Sequence, residues 1–367
     1  MQKLFIIFIL WLSLLLGVGY YSKTLPLNPA GKCTVSKQLP FYRFDSFWYT
    51  SIARHGYNFS TERNSSIAFF PLYPLVIRGA SFLIHMREAT LSFFLNVFFV
   101  LLSVWAMFRL ARLDWDEETS RNVVVLWLFF PPAYFLISGY PEALFILLAI
   151  LSFLSARKRY WLPAAVFASL LVLTKPYGIF ILPALLVEYA EGFAWQVRKA
   201  VSSLRWLFLT LPLFAWLGFV YFNYLKFGHP FAFFEAQQTW GRTLGNPLGA
   251  LVVEAQTYLF SGHLLSGRNF PYLVYLVSFF FGLWATWLSI KYVRRSYLVF
   301  SLLLLLSALL TGTLTSFGRY MLLGFPVLMG PAIFLSQKKR WFLIYLLCSA
   351  ATLLFLASLF VRCYPIE

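Results

Sequence analysis

Acidic residues are scarce in this chain. Its 367 residues carry 13 Asp and Glu against 30 Lys and Arg, and charged residues together make up only 12%. That is too little charge to cover a soluble protein of this size. Aspartate is rarest, with Asp45, Asp114 and Asp116 alone, and the first loop has no Asp-x-Asp pair. The three cysteines, Cys33, Cys348 and Cys363, make no metal motif and no disulfide framework. A disulfide between Cys33 and Cys363 stays open. No P-loop, Rossmann fingerprint or zinc spacing occurs, so no nucleotide site is in view. No internal repeat or low-complexity segment breaks the chain.

What is present is apolar. The chain is 60% hydrophobic, with mean hydropathy +0.74, 42 Phe, 21 Tyr and 13 Trp. Apolar stretches near 20 residues long recur, the signature of a multi-pass membrane protein. The expected fold is all-α, a single integral membrane domain over 1–367. Eleven spans are expected, at 4–21, 91–110, 122–138, 142–156, 160–173, 177–190, 206–225, 271–290, 297–314, 319–336 and 341–361. Those at 142–156, 160–173 and 177–190 fall short of a full crossing. The first reads as an uncleaved signal-anchor, since no small-residue cleavage site follows it.

The net charge of +17 does not indicate nucleic acid. The basic residues sit in short loops between spans, where they set topology and meet anionic headgroups. Arg157-Lys158-Arg159, Arg198-Lys199, Lys291 with Arg294-Arg295, and Lys338-Lys339-Arg340 all fall on one side, the cytoplasmic one. This holds if residues 68–86, with Pro71, Pro74 and Arg78, form an interfacial or re-entrant helix. Two large loops are then external. The first, 22–90, carries interfacial helices and the candidate catalytic site; the second is 226–270. Asp45 is the only external aspartate. An ionisable group near a bilayer is costly and points to function.

Five polar segments gather mostly at external span ends. The first runs Phe44-Asp45-Ser46-Phe47-Trp48-Tyr49, then Ile52-Ala53-Arg54-His55-Gly56-Tyr57 and Ala68-Phe69-Phe70-Pro71-Leu72-Tyr73-Pro74. The others are Ser138-Gly139-Tyr140-Pro141-Glu142, Thr174-Lys175-Pro176-Tyr177-Gly178, Phe227-Gly228-His229-Pro230 through Gln237 and Trp240 to Arg242, and Ser316-Phe317-Gly318-Arg319-Tyr320 with Phe325-Pro326. In order over 44–331, these resemble the PIG-V family, the mannosyltransferases that add the second mannose in GPI-anchor synthesis, and their prokaryotic relatives. Phe44 stands where the family has Trp, Lys175 where Arg is commoner, and His229 where an acid is often found.

The resemblance implies a GT-C type membrane glycosyltransferase with a polyprenyl- or dolichyl-phosphate sugar donor. The residues fit that chemistry. An inverting transfer needs a base for the acceptor hydroxyl, and Asp45 is expected to serve. Lys175 and Arg319 suit the departing lipid phosphate. Glu142, Arg242, His229, Tyr49, His55 and Arg268 are further substrate-binding candidates. Asp45 and Glu142 each have a plainer reading as helix caps. Aromatic surface around 69–86 is expected to guide the lipid tail or exclude water. No cofactor is expected; a divalent metal would need Asp45 to meet Glu62 or Glu235. The expected partners are that donor, a lipid-linked or surface glycan acceptor and membrane lipids. The expected membrane is a prokaryotic plasma membrane, with the endoplasmic reticulum as alternative. Two rival functions remain, a transporter or flippase of an anionic lipid and a non-catalytic subunit of a glycan-assembly complex.

Overall fold

A computed structural model describes residues 1–29, 31, 39–241, 245–260 and 270–366. It is 76% helix, with no strand among the described residues. Among the described residues, five helices are long and apolar enough to cross a membrane: Gln2–Ser22, Glu88–Ala111, Arg205–Phe227, Phe270–Tyr292 and Lys339–Val361. Two bent pairs raise the number to seven. The chain is thus a multi-pass membrane protein, with five to seven such spans among the described residues where the sequence suggests eleven.

The difference has local causes. The expected span 122–138 is a helix, Glu117–Leu128, turned by 77° into a 3-10 segment, Pro131–Ile137. Pro131 and Pro132 lack the N–H that would continue the helix. The span 319–336 likewise divides into Phe317–Leu323 and Pro326–Ser336, bent by 81° ahead of Pro326. Trp161–Val172 and Ile181–Gly192 have 12 residues each and Arg295–Leu309 has 15. Such helices reach about 18–22 Å, short of a bilayer core of roughly 30 Å. Residues 68–86 hold one 12-residue helix, Leu72–Leu83.

The centre of the bundle is Glu142–Arg157, buried on nearly every face. It packs between Glu88–Ala111 and Trp161–Val172. A helix apolar all round belongs inside a bundle, and this one carries its carboxylate at its first residue.

The two ends of the bundle differ in chemistry. At one end Arg157 forks onto Asp114 at 2.6 and 2.7 Å. Arg294 forks onto the buried Glu188 at 3.1 and 3.2 Å and reaches Glu191 at 2.8 Å. Ser296 donates to Glu188 as well. This network joins loops that are basic in the sequence. Glu142 opens the helix that Arg157 ends, so its own polar contacts lie at the opposite end of that helix.

Candidate active site

Two backbone irregularities shape the site. Phe44 has φ +44° and Ser316 φ +67°, left-handed values that cost a non-glycine residue energy. Each directly precedes a helix start: Phe44 turns the chain into Ser46–His55 with Asp45 at the N-cap position, and Ser316 into Phe317–Leu323, which carries Arg319. The Asp45 carboxylate makes no capping bond. Its Oδ2 lies 3.9 Å from Nη1 of Arg319. The cap reading is therefore overturned for its side chain.

A third turn brings Glu142. Gly139 takes φ +73°, and a Cβ there would press within 3.3 Å of Ser46 and Ser92 atoms. Ser46 donates to the Ser138 carbonyl, and Asn96 donates to that of Tyr140 at 2.9 Å. Pro141 then opens the helix. The N-cap is Pro141, and Glu142 is the helix's first residue rather than its cap. It is fully buried, and its Oε1 accepts from Lys175 Nζ at 2.7 Å and from Arg319 Nε. Lys175 reaches it because Pro176 forces the preceding residue to be extended, with φ −154° and ψ 153°.

Arg319 lies over the rings of Phe135 and Tyr140, with centroids 4.9 and 4.6 Å away. Tyr140 also accepts from the Asp45 backbone N–H at 3.2 Å. The result is one compact group: Asp45, Glu142, Lys175 and Arg319, two charges of each sign. Lys175 and Arg319 are thus held by Glu142 as well as facing the cavity, and Glu142 acts as their counter-ion rather than lining it.

Asp45, Tyr49, Lys175 and Arg319 line a cavity of about 420 Å³. Trp48, Phe69, Gln237 and Trp240 line it as well, together with Thr311, Thr313, Thr315 and Ser316. A second cavity of about 350 Å³ is almost wholly apolar, lined by residues such as Phe130, Phe270, Val277, Phe281 and Phe355. Arg319 lies in the walls of both. Of the 69–86 segment, Phe69 and Phe70 line the first cavity, while Phe82 and Leu83 are exposed.

Two expected residues are elsewhere. His55 is exposed at the far end of its helix. His229 is exposed, 3.8 Å from Glu235 and beside the Phe59 ring. Helix polarity puts His55 on the wrong end of the helix that Asp45 starts. Arg242 and Arg268 lie outside the described residues. Cys363 is disulfide-bonded and Cys348 is free; Cys33 lies outside the described residues. Among those described, no three His, Cys, Asp or Glu side chains gather as a metal site; Glu62 is exposed and Glu235 faces His229.

Sequence reasoning missed Arg43. It is buried, and donates to the carbonyls of Val361 at 2.9 Å, Tyr42 at 2.9 Å and Leu39 at 3.4 Å. Burial pulls its pKa down to about 10, which still leaves it charged at neutral pH. It ties the Asp45 turn to the end of the Lys339–Val361 helix, where Phe360 packs on Phe44. Its place two residues before Asp45 was the available signal.

No family model matches the chain. GPI mannosyltransferase 2 of Schizosaccharomyces pombe is 26% identical over 147 residues, 39% of this chain and 30% of that protein. The crystal structure of the Archaeoglobus fulgidus oligosaccharyltransferase in complex with Zn and sulfate matches 98% of this chain and 53% of its own, at TM-score 0.55 and 14% identity. Its form tethered to an acceptor peptide matches 97% and 55%, again at TM-score 0.55 and 14% identity. The chain spans about a third of the curated relative and about half of the solved structures. It is a weak homologue of a mannosyltransferase, with the helical fold of a membrane oligosaccharyltransferase.

Proposed function

We propose that this chain is an inverting glycosyltransferase. It moves one hexose, in our reading mannose, from a polyprenyl- or dolichyl-phosphate donor to a lipid-linked or surface glycan acceptor on the external face. The observation that carries this reading is the position of Arg319. It lines a polar cavity opposite Asp45 and an apolar cavity behind it. A lipid phosphate has that same division, an apolar chain ending in an anion.

In this reading the polyprenyl chain occupies the apolar cavity, with its phosphate at Arg319 and Lys175. Asp45 takes the proton of the acceptor hydroxyl. The acceptor oxygen bonds to the anomeric carbon as the carbon–oxygen bond to phosphate breaks, and the electron pair leaves with polyprenyl phosphate. Arg319 and Lys175 meet the charge on that leaving group. Glu142 fixes both cations in place. We further propose that no divalent metal is required. The weak likeness to a GPI mannosyltransferase supports the choice of mannose, and the fold shared with an oligosaccharyltransferase supports a membrane-linked transfer.

The test is transfer by purified protein in lipid nanodiscs, with polyprenyl-phosphate-mannose and polyprenyl-phosphate-glucose in parallel. Release of polyprenyl phosphate that vanishes in Asp45→Asn supports the reading. No release from either donor, even with crude membrane acceptors, overturns it. A lipid flippase is the second reading, favoured by the two helices broken at 77° and 81°. Donor translocation across vesicles without sugar transfer would establish it.

A further inference from the structure

The lining of the polar cavity is of two kinds: among the described residues Asp45, Lys175 and Arg319 carry its formal charges, while Trp48, Phe69, Trp240, Thr311, Thr313 and Thr315 are uncharged. We propose that the aromatic wall, Trp48 and Trp240, seats a neutral pyranose ring, the sugar that accepts the transferred hexose. This rests on the transferase reading above and names its acceptor class.

The wall is rigid before any ligand arrives. The rings of Trp48 and Phe69 lie 5.8 Å apart and 12° from parallel. Trp240 meets both edge-on, at 5.2 Å and 79° to Trp48 and 5.4 Å and 89° to Phe69. Trp240 sits just past the end of the Ala232–Thr239 helix, a place where a side chain is usually loose. Here Gln237 donates to the Ala68 carbonyl at 3.0 Å, which locks that helix to the wall. Prepaid order of this kind favours a binding role.

The chemistry selects a sugar. The cavity, about 420 Å³, lies within the range of small-molecule sites, roughly 300–1,000 Å³. An uncharged wall is a poor seat for a phosphate. Thr311 and Thr315 line the cavity too, polar residues that suit a polyol better than a polyprenyl chain. A pyranose ring presents C–H bonds on its faces and hydroxyls on its rim. The C–H faces match the negative faces of indole rings, and the rim matches threonine hydroxyls.

Position selects the acceptor over the donor sugar. Trp48 lies one helical turn past Asp45, its N–H donating to the Asp45 carbonyl at 3.0 Å. Arg319 flanks Asp45 with Glu142 and Lys175 behind it. Trp48 and Asp45 line the same cavity, so a pyranose ring on Trp48 sits beside the proposed base and can offer it a hydroxyl.

The test uses the full chain in nanodiscs and saturation-transfer NMR with methyl α-D-mannopyranoside and methyl α-D-glucopyranoside, without donor. Wild type is expected to saturate the ring C–H protons of at least one of them. Trp240→Ala should weaken binding by about ten-fold or more, and Trp240→Phe, which keeps a ring, by about three-fold or less. Trp48→Leu reads the same wall if Trp240→Ala does not fold. No saturation in wild type, or equal binding in a folded Trp240→Ala, overturns the proposal. A second arm measures polyprenyl-phosphate-mannose binding. It should not change in Trp240→Ala, and a loss there with pyranoside binding intact would assign the wall to the donor sugar. The two readings fail separately. Pyranoside binding without transfer sinks the enzyme, whereas transfer with an unchanged acceptor KM in Trp240→Ala sinks the sugar seat.

Discussion

Nη1 of Arg319 stands 3.9 Å from Oδ2 of Asp45, while its Nε is bonded to Glu142. The first distance is an ion pair without a hydrogen bond. The second contact is buried and hydrogen-bonded. Arg319 is thus anchored by one carboxylate and merely faces the other. The anchored carboxylate holds structure, and the faced one looks into the cavity.

That asymmetry gives Asp45→Asn a narrow effect. The substitution keeps the side-chain shape and removes the base. Hexose transfer should fall by about 10²–10⁴-fold. Donor binding, read by tritiated polyprenyl-phosphate-mannose on nanodiscs, should hold, since Lys175 and Arg319 keep their anchor. A mutant with near-normal turnover would remove Asp45 from the mechanism.

Glu142→Ala should act on folding instead. It leaves Lys175 and Arg319 buried without their shared counter-ion. Removing one partner of a buried pair costs roughly 3–5 kcal/mol. The thermal midpoint in detergent should fall, and yield with it. Glu142→Gln keeps an acceptor for one cation and should fall less. A stable Glu142→Ala protein would show that the buried group carries no such weight.

Lys175 and Arg319 lie 33 and 177 residues from Glu142 in the chain. Each was legible as a polar residue in an apolar setting, since such a residue has to be explained. Their pairing was not, because sequence order carries no distance between helix ends. Trp48 and Trp240 were likewise visible as aromatics among many, with nothing to single out their mutual packing. The all-helical membrane fold followed from hydropathy alone. The count of crossings did not, because hydropathy averages over Pro131-Pro132 and Pro326, where the backbone breaks. His55 and His229 were suggested by chemistry type and lost on geometry, one at the wrong helix end and the other in solvent.

Glu254 gives the fold a pH dependence. It is buried in the Pro247–Phe260 helix, and its Oε1 accepts from the Leu314 N–H at 2.6 Å. Burial pushes its carboxyl above the usual range, partly offset by that hydrogen bond. A carboxyl raised in the folded state holds its proton more tightly there than in the unfolded chain. Its contribution is therefore most favourable below the unfolded value, and declines as pH rises through the raised one. Glu254→Gln should raise the thermal midpoint at neutral pH and flatten its decline as pH rises past the usual glutamate range. Asp116 has the opposite sign. Its carboxylate accepts from the Thr119 N–H and hydroxyl, which hold it below the usual range. Its stabilisation is present above the unfolded value and is lost as pH falls through the lowered one. Asp116→Ala should thus lose stability at neutral pH and little in acid. Equal pH profiles for wild type and both variants would refute this assignment.

Metal dependence turns on the company Asp45 keeps. A divalent cation needs several oxygen ligands and is favoured by accumulated negative charge. Among the described residues, the charged group within 4 Å of the Asp45 carboxylate is a guanidinium. Like charges repel, so a metal bound at Asp45 would compete with Arg319 for the same oxygen. Glu142 is no better placed, because two positive charges, Lys175 and Arg319, already lie against its carboxylate and would repel a metal ion. In the proposed mechanism, Lys175 and Arg319 take the place of a metal at the leaving phosphate. Transfer should therefore survive excess EDTA unchanged, and added Mg²⁺ or Mn²⁺ should not raise it. Arg319→Ala should abolish transfer and gain nothing from either ion. Activity that EDTA abolishes and Mn²⁺ restores would place a metal at this site, and Arg319 would then have to move aside to admit it.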